Sequence, residues 1–193
     1  NAVLGGINQF LYQNGENNVH FRVFGDEKVL RKLLAKYPRV ARNIDVIHAP
    51  NVIKGTDKVM DVLRHAQDTS MYMAIKDVRE GNSAAVVSAG NTGVLMALSK
   101  LALKTVDGIS RPAITTMLPS GDGDTRVVGL DLGANVQCDE EILFDFSIMG
   151  SVYADIIGGM TRPRVGILNI GEEETKGSET LQRLNKILTE HID

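Results

Sequence analysis

Residues 84–97 read AAVVSAGNTGVLMA. A short apolar run with paired valines gives way to small residues, turns through Gly90-Asn91-Thr92-Gly93, and resumes as an apolar stretch of Val, Leu, Met and Ala. β-Branched residues suit a strand and unbranched ones a helix, so the stretch reads as strand, tight turn, helix. The two glycines permit positive φ and close backbone approach, and Asn91 or Thr92 supplies an N-cap oxygen. Free amides at such a helix start, together with the helix dipole, attract an anion. The turn is therefore either an ordinary capped junction or a cradle for an anionic group. Its spacing matches neither a P-loop nor GxGxxG.

The same alternation extends in both directions. Strand candidates are 19–25, 45–49, 84–89, 113–118, 126–133 and 164–171, and helix candidates lie at about 2–13, 26–37, 57–80, 92–104, 139–158 and 177–189. The runs at 84–89 and 164–171 are apolar on both faces, as parallel strands covered from each side require, which places 164–171 near a sheet centre. Strands alternating with helices predict an α/β fold, a three-layer α/β/α sandwich with a mainly parallel sheet, over residues 1–193 as a single domain. The exception is 113–118 with 126–133, whose connection is too short for a crossover helix and predicts a hairpin. Asp26 caps one helix, which stops near Pro38, and Thr69 or Ser70 caps another that ends at Gly81.

Composition narrows the classes. Hydrophobic residues make up 43% of the 193 residues, enough for a sizeable core. The net charge of −3, without a basic block, gives no support for nucleic-acid binding. No apolar run approaches the length of a membrane span, and no signal peptide opens the chain. The single cysteine excludes an internal disulfide and fits a reducing, cytoplasmic setting. Both ends fall in helix-like sequence, so a piece of a longer polypeptide is expected.

Two further junctions concentrate polar residues where α/β proteins place ligands. In GLDLGANVQCDEE (129–141), Asp131 closes an apolar strand ahead of Gly133 and Asn135. Its carboxylate either pins the turn or serves a site, because an unpaired charge there is costly. Cys138 has no nearby His or Lys to mark a reactive thiolate. In GILNIGEEETKGSETLQRL (166–184), an apolar strand meets Glu172, Glu173 and Glu174, then Lys176-Gly177. Lys176 is either a surface charge or a mobile cation for an anionic substrate. The four histidines lack metal-ligand spacing, so neither a metal nor another cofactor is expected.

SAGNTGVLMA, RPAIT, LDLGANVQCD, SIMGSVYAD and PRVGILNIGEEETKG, in this order and spacing, resemble the phosphate acyltransferase family of bacterial phospholipid synthesis, known as PlsX. LRHAQDTSMYMA (63–74) resembles the family's stretch ahead of SAGNTG. The likeness is dense between Asp57 and Gly177 and covers roughly the first three-fifths of a family member. The family's opening DAMGGD strand and its later TDGFxGN motif are not in this sequence, and Gln137 stands where the family usually has Asp. The resemblance implies transfer of a long-chain acyl group from acyl carrier protein to inorganic phosphate. It also implies a fold related to phosphotransacetylase and to isocitrate and isopropylmalate dehydrogenases, a homodimer, and peripheral attachment to the membrane's inner face.

Because phosphate is itself the nucleophile, such a site needs an anion cradle, a cation and donors for the oxygen that gains charge. The resemblance assigns Ser88, Gly90, Asn91, Thr92, Gly93 and Glu174 to phosphate and substrate binding, and Lys176, Asn135 and Asp131 to catalysis. Asn91 and Asn135 are expected to supply neutral donors. An acidic carrier protein needs a local basic patch, for which Arg64, Arg111 and Arg164, with Arg162, are the candidates. The competing readings are a phosphotransacetylase-like enzyme using acyl-coenzyme A and a non-catalytic phosphate-binding scaffold.

Overall fold

The computed structural model describes residues 2–16, 19–121, 126–135, 137–173 and 175–191. The chain divides into two compact units, one up to Lys104 and one from Thr105 onward.

The first unit opens with α1 (Ala2–Asn14), β1 (Phe21–Gly25), α2 (Glu27–Leu34), α3 (Pro38–Arg42) and β2 (Ile44–His48). β1 and β2 pair in parallel, Phe21 opposite Ile44 and Gly25 opposite His48, with α2 and α3 in the crossover. Asp26 caps α2 by accepting from the amides of Lys28 and Val29 at 2.8 and 3.2 Å. The helix ends at Leu34, and Pro38 begins α3 instead of closing α2. Proline suits that first-turn position because the amide it lacks would have no helical partner there. Leu4, Ile7 and Leu11 recur at helical spacing on α1 and bury against Val23, Leu34 and Val40.

The unit continues with α4 (Val59–His65), α5 (Ser70–Arg79) and α6 (Thr92–Leu103). One continuous helix over 57–80 is not formed. The Thr69 hydroxyl donates to the Ala66 carbonyl at 2.6 Å and accepts from the Tyr72 amide, so it closes one helix and caps the next. Ile75 and Val94 are fully buried, Leu98 nearly so, and they join Ile53, Ala66, Met71 and Ala102 in a second core. Each of the Ile, Val, Leu and Met side chains contributes about 1.5–3 kcal/mol when removed from water.

The second unit holds β3 (Thr115–Pro119), β4 (Arg126–Leu130), α7 (Glu140–Ile156) and α8 (Glu179–His191). β3 and β4 pair antiparallel, as the short connection requires. Ile142 and Phe146 of α7 and Leu184 and Leu188 of α8 are buried. Asp139 caps α7 by accepting from the Ile142 amide at 3.0 Å. Arg183 on α8 pairs with Glu140 on α7. Glu140's carboxyl is held below the usual range, first by its own backbone amide and then by Arg183.

The protein is thus α/β, with a parallel pair and helices in the first unit, but two expected strands are not strands. Residues 84–89 and 164–171 have no ladder partner among the described residues. Val87 is 91% exposed, Leu168 97% and Ile170 88%, so 164–171 is not at a sheet centre. An apolar extended run becomes a strand only when a neighbour pairs its amides and carbonyls, and periodicity does not supply that neighbour.

Among the described residues of the first unit, Asp77 is the buried charge. Its carboxylate accepts from Arg22 on β1 and from the Ser83 hydroxyl at 2.5 Å, tying the parallel pair to the end of α5. Asp77→Ala is expected to lower stability by about 2–3 kcal/mol, because it strands Arg22, which is only partly open to solvent. Asp77→Asn, which still accepts from Ser83, should lose less. Urea unfolding of the two variants measures the difference.

Candidate functional site

At the start of α6, Asn91 is the N-cap, and its Oδ1 accepts from the Val94 amide at 3.1 Å. Its Nδ2 donates to the carbonyls of Gly55 at 3.1 Å and Asp57 at 3.4 Å. The carboxamide therefore caps the helix and clasps the 55–57 loop, and its donors are already engaged. Neither Gly90 nor Gly93 has positive φ, unlike the sequence-based expectation. Gly90 instead makes room: a Cβ there would lie 2.7 Å from the Met71 methyl. Ser88 Oγ accepts from the Gly90 amide at 3.2 Å and fixes the approach to the turn. Among the described residues the Thr92 and Gly93 amides have no acceptor, the normal condition of a first helical turn.

The second junction is built on Asp131, held at φ 56°. Aspartate tolerates this left-handed conformation better than most residues because its short polar side chain bonds locally. Its carboxylate accepts from the Asn135 backbone amide at 3.3 Å and from Asn135 Nδ2 at 3.1 Å. The same Nδ2 donates to the Pro112 carbonyl at 3.1 Å. Asn135, like Asn91, uses its amide to hold the chain. Cys138 is half-buried, and its Sγ lies 4.0 Å from Asp131 Oδ2. Burial, then Asp131, pushes its thiol up, Arg111 opposes the rise, and Asp139 adds to it. A thiol held protonated is a poor nucleophile.

The third junction repeats the device. Asn169 Nδ2 donates to the Lys176 carbonyl at 3.1 Å, and Asn169 Oδ1 accepts from the Ile170 amide at 2.8 Å. Gln182 on α8 donates to the Thr175 carbonyl at 2.9 Å. Gly177 has φ 85°, and a Cβ there would run into the Asn169 carboxamide. A Cβ on Gly171 would lie 2.9 Å from Lys176 Cγ, so the lysine stem lies over Gly171. Lys176 is exposed. Glu174 lies outside the described residues.

The residues singled out from sequence thus fall into three groups: Ser88 to Gly93, Asp131 with Asn135, and Lys176. Among the described residues no hydrogen bond joins Lys176 to Asp131 or Asn135. Arg64, Arg162 and Arg164 are exposed, and Arg111 is tied to the Asp131 turn through the Gln137 carbonyl. The described residues contain no cluster of three or more metal-ligating side chains. Sequence reading missed the 55–57 loop, Met71 and Asn169. Gly55-Thr56-Asp57 is turn chemistry, and a lone Asn inside GILNIG was a usable signal.

Two substitutions separate the functions of these clasps. Asn91→Ala should cost about 2 kcal/mol, roughly half from the cap and half from the loop. Asn91→Asp keeps the cap oxygen and should lose about 1 kcal/mol. Gly177→Ala should cost about 1–3 kcal/mol, because both φ and the Asn169 contact oppose a side chain. Thermal and urea unfolding report all three.

The fatty acid synthesis protein family model matches residues 1–193. Phosphate acyltransferase of Granulibacter bethesdensis is 46% identical over 176 residues, 91% of this chain and 47% of that protein. The phosphate acyltransferase of Maricaulis maris is 40% identical over 97% of this chain and 53% of its own length. That of Neorickettsia sennetsu is 40% identical over 99% of this chain and 55% of its own. The chain spans about half the length of these curated relatives. With its motifs and these relatives in agreement, the chain belongs to the fatty acid synthesis protein family, the phosphate acyltransferases that its sequence resembles.

Proposed function

We propose that this chain forms part of an acyltransferase that moves a long-chain acyl group from the thioester of acyl carrier protein to inorganic phosphate. The products are acyl phosphate and free carrier protein, which would feed phospholipid synthesis. The observation that carries the reading is the start of α6, where a turn pinned by Asn91 leaves the Thr92 and Gly93 amides without an acceptor among the described residues. Ser88, Gly90 and the Thr92 hydroxyl complete the proposed anion cradle, and Glu174 is proposed as a further substrate-binding residue.

In the proposed step a phosphate oxygen bonds to the thioester carbonyl carbon and the carbon–sulfur bond breaks. The sulfur leaves with the proton that phosphate gives up. No protein nucleophile is needed, in keeping with the protonated Cys138 thiol. Asn91 and Asn135 act by position: they hold the turns, and Asp131 orients Asn135. Lys176 stabilises the negative charge shared by phosphate and the carbonyl oxygen as the bond forms.

The whole protein is proposed to be a three-layer α/β/α sandwich with a mainly parallel sheet, related to phosphotransacetylase and isocitrate dehydrogenase. It forms a homodimer in the cytoplasm, working at the membrane's inner face, with Arg64, Arg111 and Arg164 docking the acidic carrier. No described helix is long and apolar enough to cross a membrane.

Incubation of the full-length protein with phosphate and acyl carrier protein loaded with a long-chain acyl thioester should yield acyl phosphate, and acyl-coenzyme A should serve poorly. Preference for acyl-coenzyme A would favour the phosphotransacetylase-like reading, and phosphate binding without product a scaffold. Lys176→Ala should depress turnover about 100- to 1,000-fold, the usual cost of removing one transition-state donor. Stability should stay within about 0.5 kcal/mol, because Asn169 holds the Lys176 backbone carbonyl and not its side chain. Lys176→Arg should recover little, since a planar fork does not replace a compact charge. Near-normal turnover of Lys176→Ala would reduce the lysine to a surface charge.

A further inference from the structure

In the first unit, basic charge gathers on one face. Six of the 21 Lys and Arg residues lie between Lys28 and Arg42, a span that contains no Asp or Glu. A chain of net charge −3 thus carries a concentrated positive field on α2 and α3. Arg31 pairs with Glu27 at 2.7 Å and Arg39 with Glu16 at 3.1 Å. Lys28, Lys32, Lys36 and Arg42 are exposed and form no ion pair among the described residues.

The face also has a shape. An open recess of about 790 Å³ lies between α2, α3 and β2, with Arg31 on α2 and Arg42 on α3 in its lining. Much of its wall is aliphatic: Leu34 is buried, and Ala35, Pro38 and Ala41 are exposed but small. Asp45 is the carboxylate of the lining, and His20 Nε2 lies 3.2 Å from its Oδ2. Short aliphatic groups flanked by two guanidiniums leave room for an apolar side chain that arrives with carboxylates beside it. A simple anion or a phosphate backbone would engage the charges and leave the recess unfilled. A lipid surface takes up protruding apolar side chains, whereas those of this recess are short or buried.

We propose that the α2–α3 face docks an acidic protein, the carrier protein of the proposed reaction, and seats one of its apolar side chains between Arg31 and Arg42. The assignment rests on the reading of the acyl donor as an acidic carrier protein. It adds to Arg64, Arg111 and Arg164 a seat that is apolar as well as charged. Charge complementarity sets the encounter and its dependence on salt, and the recess sets the register.

The test uses the full-length protein, with phosphate and acyl carrier protein loaded with a long-chain acyl thioester varied separately. Arg31→Glu and Arg42→Glu should each raise the carrier-protein KM about 10-fold and leave the phosphate KM within about twofold. Ala41→Gln fills the recess without changing charge and should raise the carrier-protein KM about 3- to 10-fold. Added salt should raise the carrier-protein KM of the wild type more than that of the charge variants. An unchanged carrier-protein KM in all three variants would overturn the assignment and leave docking to Arg64, Arg111 and Arg164. Equal rises in both KM values would overturn it as damage to the fold. Loss of binding to phosphatidylglycerol vesicles with an unchanged carrier-protein KM would overturn it in favour of a lipid-facing surface. A wild-type protein that forms no acyl phosphate would overturn the functional reading instead, and calorimetric titration with the unacylated carrier protein would still report whether the three variants weaken docking.

Discussion

Where the chain leaves regular structure, its carbonyls lose their ladder partners, and at each candidate junction an asparagine carboxamide replaces them. Asn91 donates to Gly55 and Asp57, Asn135 to Pro112, and Asn169 to Lys176. Each bond contributes only about 0.5–1.5 kcal/mol, so the clasp acts by holding a distant segment in place more than by bond strength. A carboxamide has one acceptor and two donors, which lets one side chain cap its own backbone and hold a distant segment together. The junctions depend on this device.

It also changes which atoms remain for chemistry. Neutral side-chain donors look suited to a substrate oxygen when only the sequence is in view. Among the described residues they are occupied, while the Thr92 and Gly93 backbone amides have no acceptor and Lys176 is exposed. Rigid turns that present open donors and cations are what an acyl transfer needs when phosphate is the nucleophile, because the protein then supplies position and field and no covalent intermediate.

Glycines support the same design for differing reasons. Gly177 needs its positive φ and the space beside Asn169, and Gly90 needs only space for Met71. One sequence letter thus covers two constraints that composition does not separate.

Much of this was legible in the residues. Helical spacing of Leu4, Ile7 and Leu11, the caps at Asp26 and Thr69, and the short hairpin connection are local, because each depends on neighbours a few positions away. The family was legible as well, since its motifs are contiguous. What only the tertiary structure decided is non-local. The apolar runs at 84–89 and 164–171 carry strand chemistry without a paired neighbour. The partners of Asn91 lie 36 and 34 residues away. Hydrogen-bond partners that far apart are chosen by the packing of whole elements, which no window of sequence contains.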